Sequence, residues 1–158
     1  MESQRIDNPL ITIIIPIFNE AKTIVTLVKY LRKASTNNPN FEIIVVDGGS
    51  TDTSVTLLSE IPNIQVIHSQ KGRAIQMNTG ARFATGEILY FLHADSFPPQ
   101  DFDTAITQAV KNGKKAGCFR MKFDSNHWWL LLMSFFTQCN SKRCRGGDQS
   151  LFVTKKTF

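Results

Sequence analysis

Apolar residues arrive in short unbroken runs, separated by longer stretches of mixed pattern. Leu10-Ile11-Thr12-Ile13-Ile14-Ile15 is β-branched and almost wholly apolar, the mark of a strand covered on both faces. The pattern ends that strand at Pro16. Asn19 stands where it would cap a helix, with Glu20 in the first turn and Ile24, Leu27, Val28 and Leu31 at helical spacing. Asn37-Asn38-Pro39-Asn40 closes the unit as a loop. A second buried run, Phe41 to Val46, meets the turn chemistry of Asp47-Gly48-Gly49-Ser50. Ser50-Thr51-Asp52 then opens a helix through Val55, Leu57 and Leu58.

The alternation repeats. Ile64 to Ile67 predicts a third strand, and Arg73 to Ala84 a helix with Ile75 and Met77 on apolar positions and Gly80, Ala81 and Ala84 as a small-residue face. Gly86 turns the chain into a fourth strand, Ile88 to Leu92. Pro98-Pro99 starts a helix that runs to Asn112, and Gly113 stops it. Cys118 to Phe123 and Gln149 to Val153 read as strands, with a helix at Trp128 to Phe136 between them. Strands alternating with helices of this length predict an α/β layered domain with a mainly parallel sheet.

Composition narrows the class. The 158 residues suit one domain, and 42% hydrophobic against 20% charged residues excludes a disordered chain. Cys118, Cys139 and Cys144 match no metal-binding spacing and read as reduced thiols of a cytosolic protein. Polar Met1 to Asn8 leads into an apolar run too short for a secretion signal or a membrane span. Charge is divided unevenly. Residues 1–110 carry 8 Lys and Arg against 11 Asp and Glu, whereas residues 111–158 carry 10 against 2. Such a basic segment attracts phosphate, anionic lipid or nucleic acid. It lacks an aromatic RNA-binding signature and a groove-reading helix, so no nucleic acid is expected.

In open parallel sheets, ligands bind beyond the carboxyl ends of the strands. Three polar clusters fall there: Pro16 to Glu20, Asp47 to Asp52, and His93-Ala94-Asp95. Neither a GxGxxG nor a P-loop is present. The strand ends offer carboxylates instead, and carboxylates alone repel a diphosphate. A divalent cation, Mg²⁺ or Mn²⁺, resolves this by joining one or two carboxylates to phosphate oxygens. Asp47 could equally accept hydrogen bonds from a ribose or base. The expected ligand is a metal-bound nucleotide.

The residues Ile13 to Glu20, Ile43 to Asp52, Lys71 to Gly86, Leu89 to Asp95 and Gly147-Asp148-Gln149 together resemble family 2 glycosyltransferases of the GT-A fold, and a small bacterial subgroup among them. The likeness runs from about residue 10 to residue 158. It implies a three-layer, Rossmann-like α/β domain that binds a nucleotide-diphosphate sugar and transfers the sugar, with inversion, to an acceptor. Pro16, Phe18 and Glu20 would line the nucleoside pocket, and Asp47 would contact base or ribose. Lys71, Arg73 and Ala94 would complete the donor site, Arg73 holding base or diphosphate. Asp95 would hold the metal as the last acid of a DxD-type motif whose first position here is His93. Imidazole suits Mn²⁺ better than Mg²⁺; the alternative is that His93 only orients phosphate. The family's late acidic pair, the usual source of the base, is absent, which implies a single domain, residues 1–158, lacking its C-terminal part. Asp148 is then the candidate to contact the acceptor or act as base, and a catalytically incomplete nucleotide-sugar-binding module is the alternative.

Plainer roles stand beside these. Asp52 is expected to cap the helix after it, Gly48-Gly49 to make a tight turn, and Asn78 and Gly80 to serve helix packing. His68 reads as solvated or core, and His127 has no ligand-like partner. Trp128 to Phe136 favours a buried helix. With Lys142, Arg143 and Arg145 beside it, it also permits peripheral contact with the inner face of a membrane and a lipid-linked acceptor. A sugar nucleotidyltransferase would want a glycine-rich basic loop after the first strand, which Pro16 to Glu20 lacks.

Overall fold

The computed structural model describes residues 10–35, 41–119 and 150–158. The elements follow in the order β1 (Ile11–Ile17), α1 (Ile24–Ala34), β2 (Phe41–Asp47), α2 (Ser54–Ser59), β3 (Gln65–His68), α3 (Arg73–Phe83), β4 (Ile88–Phe91), α4 (Phe102–Lys111), β5 (Ala116–Cys118) and β6 (Leu151–Thr154). They build one sheet in the order β3-β2-β1-β4-β6-β5. β1 to β4 run parallel, and β6 pairs antiparallel with both β4 and β5. The expected mainly parallel α/β architecture is the one observed.

The continuous apolar runs follow from burial on both sides. Ile11, Ile13, Ile15 and Ile17 of β1, with Ile43 and Val45 of β2, pack into one core with Leu27, Val28 and Leu31 of α1 and Phe102 and Ile106 of α4. Ile14, Ile44, Val46, Leu89 and Phe91 face the opposite layer, where Ala81 of α3 covers them. Each fully buried isoleucine contributes about 1.5–3 kcal/mol of transfer free energy, so the sheet centre anchors the fold.

Several boundaries differ from the sequence reading. β1 does not stop at Pro16 but runs to Ile17, with Pro16 opposite Val46. Pairing with β4 ends at Ile14, and alternate residues of a strand turn their backbone groups to opposite sides. Ile14 O accepts from Leu92 on the β4 side and Ile17 O from Gly48 on the β2 side. Pro16 therefore turns its nitrogen to the side where no donor is needed. α1 begins at Ile24 rather than at Asn19. α4 begins at Phe102, several residues after the prolines, behind Asp101 at a φ of 55°.

α3 differs most. Ile75 is not on the buried face but 45% exposed, while Gln76, Gly80 and Ala81 are buried. The helix lies too close to the sheet for large side chains. A Cβ on Gly80 would stand 2.5 Å from Ile14 Cγ2 and 3.1 Å from Val46 Cγ2. The strand expected from Cys118 is described only as Ala116–Cys118. Trp128 to Phe136 and the rest of residues 120–149 lie outside the described residues. Among the described residues no helix is long and apolar enough to cross a membrane.

Candidate active site

The loops after β1 and β2 are stitched into one unit. Asn19 N–H donates to Ser50 Oγ at 2.8 Å, Glu20 N–H to Ser54 Oγ at 2.9 Å, and Ala21 N–H to Asp52 Oδ2 at 3.1 Å. In return Thr51 N–H donates to Asn19 Oδ1 at 2.8 Å. Asn19 adopts a φ of 58°, a left-handed conformation that asparagine tolerates better than most residues. It thus serves the β2 loop and not the helix that follows it. Asp52 has the capping role expected of it, accepting from Ser54 N–H at 2.9 Å.

A cleft of about 270 Å³ opens beyond the carboxyl ends of β1 and β4. Pro16, Ile17, Phe18 and Glu20 line it from the β1 side. Lys71, Gly72, Arg73 and Gln76 line it from the start of α3, and His93, Ala94 and Asp95 from the end of β4. The structure thus brings together eight of the sequence candidates: Pro16, Phe18, Glu20, Lys71, Arg73, His93, Ala94 and Asp95. Lys71 Nζ sits 3.6 Å from the centroid of the Phe18 ring, a cation–π contact at the cleft wall. Glu20 accepts from Thr23 Oγ1 at 2.6 Å. His93 is buried and Asp95 exposed, with Ser96 Oγ 3.4 Å from Asp95 Oδ1.

Asp47, expected to contact base or ribose, stands at the end of β2. It is 2% exposed and does not line the cleft. Its carboxylate accepts from Gly49 N–H at 3.2 Å and Ser50 N–H at 3.0 Å, and its Oδ2 is 3.2 Å from His68 Nδ1. Burial pushes this carboxyl up, but the hydrogen bonds from Ser50, His68 and Gly49 outweigh it and hold it below the ordinary carboxylate range. Its oxygens are taken up in shaping the turn after β2. His68, expected to be solvated or core, is largely exposed yet partners this acid.

Sequence spacing also missed Gln76, whose amide donates to Ile17 O and Val46 O, both at 2.7 Å. Its sequence signals were its place in the Lys71 to Gly86 stretch that carries the family resemblance and its polarity beside the small-residue face of the helix. Asp148 lies outside the described residues.

A divalent ion finds a partial donor set here. Among the described residues no group of three or more His, Cys, Asp and Glu side chains is placed to hold a metal. Asp95 and His93 share the cleft with Lys71 and Arg73. One carboxylate fits an ion that takes its remaining ligands from water and phosphate oxygens, as Mg²⁺ and Mn²⁺ do, and an imidazole favours Mn²⁺. The residues fit an ion brought in with a diphosphate.

A parallel sheet with a polar, two-signed cleft at its carboxyl edge defines a doubly wound α/β domain with a ligand site. Residues 12–153 match the model of Glycosyl transferase family 2, and the chain belongs to this family. Its fold is that of the GT-A glycosyltransferases. Glycosyltransferase GlyG of Streptococcus pneumoniae is 32% identical over 108 residues, 65% of this chain and 35% of that protein. A dolichyl N-acetyl-α-D-glucosaminyl phosphate 3-β-D-2,3-diacetamido-2,3-dideoxy-β-D-glucuronosyltransferase of Methanococcus voltae is 31% identical over 99 residues, 58% of this chain and 31% of that protein. Among solved structures, the mannosyltransferase PcManGT of Pyrobaculum calidifontis, in complex with GDP-Man and Mn²⁺, superimposes with a TM-score of 0.68. It shares 22% identity, and the match covers 92% of this chain and 45% of that one. The chain spans about a third of the length of the curated relatives it matches.

Proposed function

We propose that this chain forms the donor-binding part of a glycosyltransferase that takes a sugar from a nucleotide-diphosphate sugar. The observation that carries the reading is the cleft in which Lys71 and Arg73 stand with Asp95 and His93 beyond the parallel strand ends. Breaking the anomeric C–O bond leaves negative charge on the departing nucleoside diphosphate, and fixed cations stabilise charge that develops in the transition state. Lys71 and Arg73 would supply that term. Phe18, Pro16 and Glu20 would hold the nucleoside with Ala94. Asp95, with His93, would hold a divalent ion, which when bound adds Lewis-acid neutralisation of the diphosphate. Asp47 would act through the turn it organises, fixing the wall to which the Phe18–Ala21 loop is stitched.

Inverting transfer needs a base for the acceptor hydroxyl, and Asp148 is the candidate within this chain. A lipid-linked acceptor is supported by the dolichyl phosphate carrier in the name of the Methanococcus relative. The basic residues 142, 143 and 145 would favour an anionic membrane face.

Calorimetric titration with UDP- and GDP-sugars, with and without Mn²⁺, tests the reading. The expected result is saturable binding of one donor that weakens when Mn²⁺ is withdrawn. No binding of any donor at millimolar concentration would remove it. Donor binding without transfer or donor hydrolysis would favour the second reading, a nucleotide-sugar-binding module lacking the catalytic base.

A further inference from the structure

Gln76 is the cleft residue whose chemistry the charge pattern leaves unexplained. It is 4% exposed and lines the cleft from the first turn of α3. Its Nε2 donates to Ile17 O and Val46 O, both at 2.7 Å. These bonds use both amide hydrogens. Reversing the amide would set its oxygen against two carbonyls, so one orientation is enforced. The amide lies against Gly48, where an added Cβ would stand 3.1 Å from Cδ, Nε2 and Oε1 alike. Ile17 O already accepts from Gly48 N–H at 2.9 Å, so Gln76 is not required to satisfy that carbonyl. What the side chain has left to offer is the acceptor Oε1, on the edge of the amide turned away from the strand tips.

We propose that Gln76 is a specificity-determining residue of the cleft, its Oε1 accepting a hydrogen bond from a base N–H or ribose O–H of the bound nucleotide. The inference rests on the nucleotide-sugar reading of the cleft. Lys71 and Arg73 carry only donors and suit phosphate oxygens, whereas Oε1 is an acceptor and cannot serve an ionised phosphate. Gln76 also bonds to the tips of β1 and β2, at the strand end from which Pro16 and Phe18, the proposed nucleoside wall, line the cleft. A nucleoside is the part of the ligand that brings neutral donors to this wall. A ligand without a donor there leaves a buried acceptor unpaired, and such sites discriminate strongly.

The test is titration of UDP and GDP in the presence of Mn²⁺. It continues with the 2′-deoxy, 3′-deoxy and base-N-methylated forms of the tighter one, for the wild type, Gln76→Met and Gly48→Ala. In the wild type, one form lacking a donor should bind about tenfold more weakly, and in Gln76→Met that penalty should shrink to within about twofold. Gly48→Ala keeps Gln76 but displaces its amide, so it should shrink the penalty too, and it carries the comparison if Gln76→Met melts below the assay temperature. A penalty of undiminished size in the variants, or no penalised form in the wild type, overturns the proposal while nucleotide binding stands. Failure of both nucleoside diphosphates to bind the wild type overturns the nucleotide reading and this inference with it.

Discussion

Asp47→Asn keeps the shape of the side chain and removes its charge. In the wild type the two oxygens serve Gly49 N–H, Ser50 N–H and the ring of His68 at 3.0–3.2 Å. The amide retains one oxygen, so one donor of this turn loses its partner and the bonds that remain lose their ionic character. Hydrogen bonds to charged groups contribute about 1.5–3 kcal/mol and neutral ones about 0.5–1.5, so the variant should lose about 2–3 kcal/mol. At about 2–4 °C per kcal/mol for a chain of this size, the melting temperature should fall by about 4–12 °C. The folded carboxyl titrates below its ordinary value. Its contribution is therefore fully present above the unfolded pKa, about 3.9, and is lost as pH falls through the lower folded value. Denaturant melts of both proteins from pH 7 to pH 3 measure the gap between them. Subtracting the variant matters because Glu42 is also held low by Thr12, Thr85 and Gly86 against its own burial. A variant as stable as the wild type at pH 7, or a gap that widens on acidification, would refute the reasoning.

The remaining predictions concern packing and the cleft. Gly80→Ala sets a methyl group 2.5 Å from Ile14 Cγ2, and overpacking of this kind should cost about 1–3 kcal/mol in a urea melt. Asp95→Asn changes an exposed side chain and should leave stability within about 0.5 kcal/mol. It should also abolish the increment in donor affinity that Mn²⁺ brings, as read by calorimetry. Lys71→Gln removes a cation from the cleft wall. It should weaken UDP or GDP binding and flatten its dependence on salt, because fewer ionic contacts remain to be screened; an unchanged salt dependence would place Lys71 outside the diphosphate site.

Period and spacing along the chain settled a great deal. Apolar runs of strand length with no polar alternation dictated strands buried on both faces, and hence a parallel sheet between helices. Of the three polar clusters directly after such runs, two, Pro16 to Glu20 and His93 to Asp95, line the cleft. These are local properties, since whether a side chain meets core or solvent depends on neighbours two to four residues away. Tertiary structure decided which polar groups share a cavity and which spend themselves on the backbone. Asp47 ends β2 and Asp95 follows β4, yet Asp95 lines the cleft while Asp47 is enclosed by the turn it organises. Asn19 serves Thr51 across 32 positions of sequence, and Gln76 serves Ile17 across 59. No periodicity encodes such pairings. They arise because the parallel ladder sets distant strand tips side by side, and buried polar groups there must find partners among whatever the crossing loops bring within reach.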